Sequence, residues 1–326
     1  MQKYVSLIFL LSLFGTGAVH ADPVPTDASN WLKTMAFAAH RIDFSGVFIH
    51  QAGGNIEMSR ITHVTDEDGE HERLEGLDGG GRELIRSNDQ VWLFSNGKRL
   101  RAERRQFRKI FPSLLPEQIT ALKENYSVRQ EEEDEVAGYH AHTVVFQPRD
   151  GLRYTRKMWA HSDSGLLLKA AVLDGHGYII EQHAFVQLEI NGNFDRGWII
   201  RDTAPTEEAA RQLQLSAMPE GDPVPEAGDW QVDFLPSGFK KIASMRRTFR
   251  ENQEPVIHLV YSDGLAGISV FIEKVSGMSH FHSGLAGQGA THVYNRMVDD
   301  TMVTVIGEVP ARTVILVAES VRYAGR

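Results

Sequence analysis

The chain reads as a mainly β protein of the α+β class: one large antiparallel sheet with a few covering helices, then a smaller antiparallel unit with a C-terminal helix. Three observations predict this. Between residues 126 and 190, runs rich in β-branched and aromatic residues recur about every 10–14 residues between short Asp/Gly turns, the spacing of an antiparallel meander. Residues 201–229 abandon that pattern for Ala, Glu and Pro, with Pro205, Pro219, Pro223 and Pro225, as a linker between two units does. Helical periodicity is confined to short stretches.

The elements follow in order. Lys3 precedes an apolar run from Val5 to Phe14, and Val19-His20-Ala21 follows it. A positive start, an apolar run too short to span a bilayer and small residues at a cleavage point make a secretory signal, so residues 1–21 are expected to be removed after about Ala21. No cysteine follows the run, which excludes a lipoprotein anchor, and no later stretch is apolar for long enough to cross a membrane. The spacing of Leu32, Met35, Ala36 and Ala39 predicts a helix over 27–39, capped by Asp27 or Ser29. Residues 44–50 read as a strand ending before a Gly53-Gly54 turn, and 91–94 as a strand ending before Ser95-Asn96-Gly97. Residues 113–124, with Pro116 in the first turn, predict a helix whose face carries Leu115, Ile119 and Leu122.

Strands are expected at 126–131, 139–147, 152–161, 165–173 and 177–190, with breaks at acidic Glu131–Glu135 and at Asp150-Gly151, Asp163-Ser164-Gly165 and Asp174-Gly175. Alternation puts Tyr154, Arg156 and Met158 on one side and Thr155, Lys157 and Trp159 on the other. Beyond the linker, strands are expected at 241–250, 256–262, 266–274, 291–297 and 301–307, with 276–290 as a Gly/Ser/His loop. A last helix starts at Pro310, with Val314, Val317, Ala318 and Val321 on one face. The domain division is therefore 1–21 signal, 22–200 large unit, 201–229 linker and 230–326 small unit.

Composition narrows the function. The chain has 326 residues, 42% hydrophobic, and no cysteine, so it uses neither disulfides nor thiol chemistry and relies on its core. A formal charge of −9, which becomes −10 once Lys3 leaves with the signal, argues against nucleic-acid binding. There is no G-x-S-x-G elbow, P-loop or dinucleotide fingerprint. His71-Glu72 lacks the second histidine of a zinc-protease helix, and Asp66-Glu-Asp-Gly69 lacks most of a calcium loop. His140 and His142 share a strand face without a visible third ligand and are expected to be a solvated or packed pair, and His280-Phe-His282 is weaker still. No cofactor, no metal site and no catalytic residue is expected.

One charge feature stands apart. Lys98 to Lys109 carries seven basic residues in a net acidic chain and runs into Ile110-Phe-Pro-Ser-Leu-Leu115. Cations beside an apolar segment suit an amphiphile with an anionic head; they equally suit a protected strand edge.

Three segments carry a family resemblance: Gly151 to Trp159 with Ser162 to Lys169, Tyr261 to Phe271, and Val303 to Pro310, supported by Trp230 to Phe239. In order and spacing, over about residues 28–323, they resemble the RseB/MucB family of periplasmic sigma-E regulators. The resemblance implies a soluble, non-enzymatic periplasmic protein that binds the periplasmic part of a membrane-spanning anti-sigma factor, RseA or MucA, and shields it from the protease that starts its destruction. It implies that the large unit is a curved half-barrel sheet like the lipoprotein carriers LolA and LolB. It further implies that the small unit contributes strongly to anti-sigma binding and that lipopolysaccharide or a related anionic lipid releases the complex. A carrier of lipid or lipoprotein is the alternative, which the extra small unit disfavours; whether the chain forms a homo-oligomer stays open.

On that basis the lipid cavity or its lid is expected to draw on Trp92, Phe94, Phe107, Ile110, Phe111, Leu114, Leu115 and Ile119. Arg101, Arg104, Arg105 and Arg108 are the headgroup candidates. The anti-sigma candidates are Arg246, Arg247, Arg250, Tyr261 and Phe271, where an extended peptide could add to a strand edge.

Overall fold

The computed structural model describes residues 26–79, 81–88, 90–95, 98–103, 119–200, 230–247, 255–275 and 283–324. The expected signal (1–21) and linker (201–229) lie outside the described residues. Among the described residues no helix is long and apolar enough to cross a membrane.

Helix α1 (Thr26–Ala38) leads into strand β1 (Phe44–Ala52), and the Gly53-Gly54 turn joins it to β2 (Asn55–Asp66). Strands β3 (Gly69–Gly76), β4 (Glu83–Ser87), β5 (Gln90–Ser95) and β6 (Lys98–Glu103) continue the meander outward. Helix α2 (Ile119–Asn125) precedes β7 (Tyr126–Val136), β8 (Tyr139–Pro148), β9 (Thr155–His161), β10 (Leu167–Leu173) and β11 (Ile179–Ile190). All eleven strands form one antiparallel sheet in the order β6-β5-β4-β3-β2-β1-β11-β10-β9-β8-β7. Its centre is the pairing of β1 with β11, which joins two sequential meanders. The chain leaves the sheet at one edge with β6 and re-enters at the opposite edge through α2 and β7.

The core of this unit explains the sequence pattern. Leu32, Met35 and Ala36 of α1 are buried with Leu122 of α2, Tyr126, Val144, Phe146 and Met158, so the predicted helix face is the packed one. Trp159, the next residue after Met158, belongs to a second cluster with Phe44, Phe48, Ile61, Leu168 and Phe185. The predicted alternation along β9 is visible in the Lys157 ammonium, which lies 5.0 Å from the Trp159 ring centre.

One expectation on this unit is corrected. Glu131–Glu135 is not a break: β7 runs through it, with a bulge between Glu131 and Asp134. Three of the acids find partners although Glu132–Glu135 stay exposed. Glu131 pairs with Lys157 at 2.6 Å, Glu133 lies 3.1 Å from His142, and Asp134 accepts from the Trp159 indole at 2.9 Å. Of the expected 113–124 helix, Ile119–Asn125 is helical as α2; residues 113–118 lie outside the described residues.

His63 is a buried group that no motif singles out. It is 1% exposed, its Nδ1 lies 2.9 Å from the Ile42 carbonyl, and it stacks on Phe44. Burial, opposed by the Ile42 hydrogen bond and facing Glu70, Glu72 and Arg86, holds its pKa below the usual imidazole value. A depressed histidine adds stability above its unfolded pKa and loses it as pH falls through the folded one. The urea midpoint is therefore expected to fall between pH 7.5 and 5, and to fall less in His63→Gln. Equal slopes in the two proteins would show that His63 is not the group responsible.

The smaller unit holds β12 (Trp230–Val232), β13 (Lys240–Arg247), β14 (Val256–Ser262), β15 (Gly267–Lys274), β16 (Gly284–Gln288), β17 (Thr291–Val298), β18 (Thr301–Gly307), α3 (Ala311–Glu319) and β19 (Val321–Tyr323). Six of these strands form a second antiparallel sheet, β13-β14-β15-β18-β17-β16, and β12 pairs with β19. Pro310 sits at the N-cap of α3, where its missing N–H is no loss. Thr313, Val314, Val317 and Ala318 are 0% exposed and press α3 onto Ile268, Val270, Val303 and Val305. Each such valine contributes roughly 1.5–3 kcal/mol by leaving water. Two expectations change here. Within the expected 276–290 loop, Gly284–Gln288 is an edge strand, recruited by backbone pairing to β17 although its side chains are exposed. Val321, expected on the helix, lies in β19, buried under the same core.

Candidate functional site at the junction of the two units

The segments that carry the family resemblance meet in space. Arg153, just before β9, reaches into the small unit, where its Nε donates to Asp263 Oδ2 at 2.6 Å. Both side chains are 0% exposed. The same guanidinium donates to Asp150 and to the Ser237 carbonyl, and it lies over the rings of Tyr126 (5.7 Å) and Phe239 (5.2 Å). Tyr126 donates its hydroxyl to Asp263 Oδ2 at 2.8 Å. Asp263 Oδ1 accepts the backbone N–H groups of Leu265 and Ala266 at 3.0 and 2.8 Å, so the Ser262–Ala266 turn is built around this carboxylate. Leu265, on the same turn, packs against the large unit's core.

The electrostatics follow from burial. Burial, with the Asp263 carboxylate beside it, pushes the Tyr126 phenol well up, so it stays protonated and donates. Burial opposes the Arg153 charge, but its hydrogen bonds to Asp263 and Asp150 outweigh that and raise its pKa. Further contacts widen the junction. Arg156 lies 3.3 Å from Glu308, and Thr313 donates to the Leu152 carbonyl at 2.9 Å. Gly238 (φ +81°) lies so close to Asn125 that a Cβ there would come within 2.0 Å of its amide. At the far end, Ala290 N–H donates to Glu181 Oε2 at 3.0 Å.

The predicted site residues divide as follows. Trp92 is buried and Phe94 half-buried in β5; register pairs Trp92 with Arg101 and Phe94 with Arg99, so the backbone brings Trp92, Phe94 and Arg101 to one face of the β5–β6 edge. Ile119 opens α2. Phe107, Ile110, Phe111, Leu114, Leu115, Arg104, Arg105 and Arg108 lie outside the described residues, as does Arg250. Arg246 is exposed on edge strand β13, and Arg247 ends that strand. Tyr261 is 6% exposed and belongs to the small unit's core. Phe271 stacks on His258 (4.1 Å, 13° between planes) on the opposite face of the sheet from Arg246, because Met245 pairs with His258 while Arg246 pairs with Ile257. These candidates therefore do not form one patch. Ile242, which no sequence expectation names, is 60% exposed at the β13 bulge between Lys241 and Ala243. Its signal was an apolar residue between lysines and a small residue on a strand with basic ends.

His140 and His142 do not gather ligands. His142 faces Glu133 and sets its ring edge against Trp31 at 4.9 Å. His280 and His282 lie outside the described residues. Asp66 caps its own turn and lies 3.0 Å from His71 Nε2.

Fold and junction together define a two-unit α+β protein whose units are joined by a buried charge cluster. The N-terminal domain of the MucB/RseB family matches residues 27–207, and the family's C-terminal domain matches residues 224–322. The chain belongs to the MucB/RseB family. It is 32% identical, over 98% of both chains, to the sigma factor AlgU regulatory protein MucB of Pseudomonas aeruginosa. It is 24% identical to the sigma-E factor regulatory protein RseB of Escherichia coli, over 97% of this chain and 98% of that one. Among solved structures, the P. aeruginosa MucA/MucB complex matches with TM-score 0.70 and 31% identity, covering 92% of this chain and all of the other. MucB in complex with MucA(peri) matches with TM-score 0.66 and 32% identity over the same shares.

Proposed function

We propose that this chain is an exported, periplasmic regulator of the sigma-E type. It binds the periplasmic region of a membrane-spanning anti-sigma factor, shields that region from the initiating protease, and lets go when a lipopolysaccharide-type lipid occupies its large unit. The observation that carries the reading is the match over both units to a protein solved in complex with MucA. The chemistry is binding rather than catalysis, so free energy of association does the work.

An extended peptide could add to the edge strand β13, beside exposed Ile242 and Arg246. The lipid reading rests on the basic β6 strand next to Trp92 and Phe94, and on the chain that links the two opposite edges of the large sheet. Burying an acyl chain of about 14 carbons at about 0.8 kcal/mol per CH₂ would offer roughly 10 kcal/mol before ordering costs, enough to compete with a peptide whose bound state excludes the lipid.

The full chain is expected to bind the periplasmic segment of its organism's anti-sigma factor with Kd on the order of 1 µM or tighter and to slow that segment's proteolysis. Arg246→Glu should weaken binding at least tenfold, about 1.4 kcal/mol. No binding by the intact chain in calorimetry would sink the reading. For the lipid arm, lipopolysaccharide should displace the bound segment and zwitterionic vesicles should not. Charge reversal of Arg104, Arg105 and Arg108 together should reduce displacement more than it reduces peptide affinity; equal loss of both would remove these arginines from the headgroup role.

A further inference from the structure

We propose that His50, Glu181 and His183 form a binding site for a divalent transition metal of the zinc class, at the end of the junction where the small unit's 288–290 turn meets the large sheet. Their nitrogen and carboxylate atoms all lie within 4.8 Å of one another. This departs from the expectation of no metal site: no motif of the sequence joins these three residues.

Register builds the site. His50 of β1 stands directly opposite His183 of β11, and Glu181 stands opposite Ala52. Residues two apart on a strand share a face, and so do directly paired residues, so all three side chains rise from one face of the sheet centre. His50 Nε2 is 3.1 Å from Glu181 Oε1, and the two imidazoles stack with centres 4.2 Å apart and planes 11° apart.

The donor set fits the ion class. Two imidazoles and one carboxylate suit zinc, leaving a fourth position for water, whereas magnesium and calcium take oxygen ligands. Atoms bound at about 2.1 Å around a tetrahedral ion lie roughly 3.4 Å apart, so the cluster must close by about 1 Å. The imidazoles are parallel, and an ion in both ring planes needs one ring to turn about χ2, a soft torsion.

The surroundings supply what such ligands need. Ala290 N–H donates to the second carboxylate oxygen of Glu181, which orients it as outer partners orient metal ligands. Around the three stand Glu57, which pairs with His50 in register, and Glu308 and Arg156, which pair with each other. Gly289 (φ +57°) belongs to the same corner: a Cβ on it would meet Glu181 Oε2 at 2.8 Å and Ala52 Cβ at 2.9 Å.

The test uses the untagged full chain, freed of metal by chelation and titrated with zinc chloride at pH 7.5 by calorimetry, with cobalt(II) as the spectroscopic probe. One equivalent per chain is expected, with intense visible cobalt bands and no response to magnesium or calcium. His50→Gln and Glu181→Gln should each weaken zinc binding at least tenfold, while the His140→Gln/His142→Gln double variant leaves it unchanged. If His183→Gln does not fold, half-buried His50 carries the test. Binding of much less than one equivalent, or unchanged binding in His50→Gln, overturns the site.

Discussion

Asp263→Ala is expected to destabilise the protein by about 3–5 kcal/mol, the largest effect of any single substitution at the junction. The carboxylate is completely enclosed and faces the Arg153 guanidinium, which is enclosed as well. Removing one partner of a buried pair leaves an uncompensated charge, and that costs far more than the pair's net worth. Asp150 and the Ser237 carbonyl still accept from Arg153, which places the effect within this range rather than above it. Three further donors lose their acceptor: the Tyr126 hydroxyl and the N–H groups of Leu265 and Ala266. Urea denaturation at pH 7.5 measures the loss. The double variant Arg153→Met/Asp263→Leu should recover much of it, because a desolvated pair exchanged for apolar groups of similar size is close to neutral. A cost below about 1 kcal/mol for Asp263→Ala would mean that water reaches the pair and that the units are not locked there.

This cluster shows what could be read from the sequence and what could not. The strands were legible because their spacing, turn residues and alternation are local: 139–147, 256–262 and 301–307 lie within a residue of β8, β14 and β18. The failures were cases where a partner from elsewhere decided the outcome. Glu131–Glu135 reads as a break because five acids repel, yet Lys157 and the Trp159 indole supply the compensation that keeps β7 extended. Gly284–Gln288 reads as a loop because nothing in GLAGQ favours a strand, yet β17 offers it a ladder. Arg153 and Asp263 both lie inside segments that carry the family resemblance, but their union spans 110 residues of sequence and no periodicity announces it. The same holds for His50 and Glu181, separated by 131 positions and joined only by the β1–β11 register. Tyr261 illustrates the converse: an amphipathic residue beside a basic strand reads as an anchor, and the fold spends its ring on the core.

The arrangement also bears on how one unit could influence the other. The resemblance-bearing segments are not scattered over two independent surfaces; Gly151–Trp159 meets Tyr261–Phe271 through Arg153 and Asp263, and meets Val303–Pro310 through Arg156 and Glu308. A ligand in the large unit can change affinity at the small one only through a difference in free energy between two arrangements of such contacts. The junction is the shared element that both would bias, and it is made of groups that are either fully paired or badly unpaired, with little between.

Gly238→Ala tests the packing half of that element and is expected to cost about 2–5 kcal/mol. Two penalties add. At φ +81° an L side chain strains the backbone by about 1–2 kcal/mol. Its Cβ would also come within 2.0 Å of the Asn125 amide, and Asn125 is 7% exposed at the end of α2, so it has little room to withdraw. Overpacking of that kind adds roughly 1–3 kcal/mol. Gly138 isolates the first penalty: its φ is +83°, and a Cβ there would meet nothing within 4 Å. Gly138→Ala should therefore cost only the backbone strain, about 1–2 kcal/mol, and should leave partner binding unchanged. If urea midpoints of the two variants coincide, the Asn125 contact is not tight. If Gly238→Ala lowers stability more but leaves affinity for the anti-sigma segment intact, the junction holds the fold together without coupling its two units.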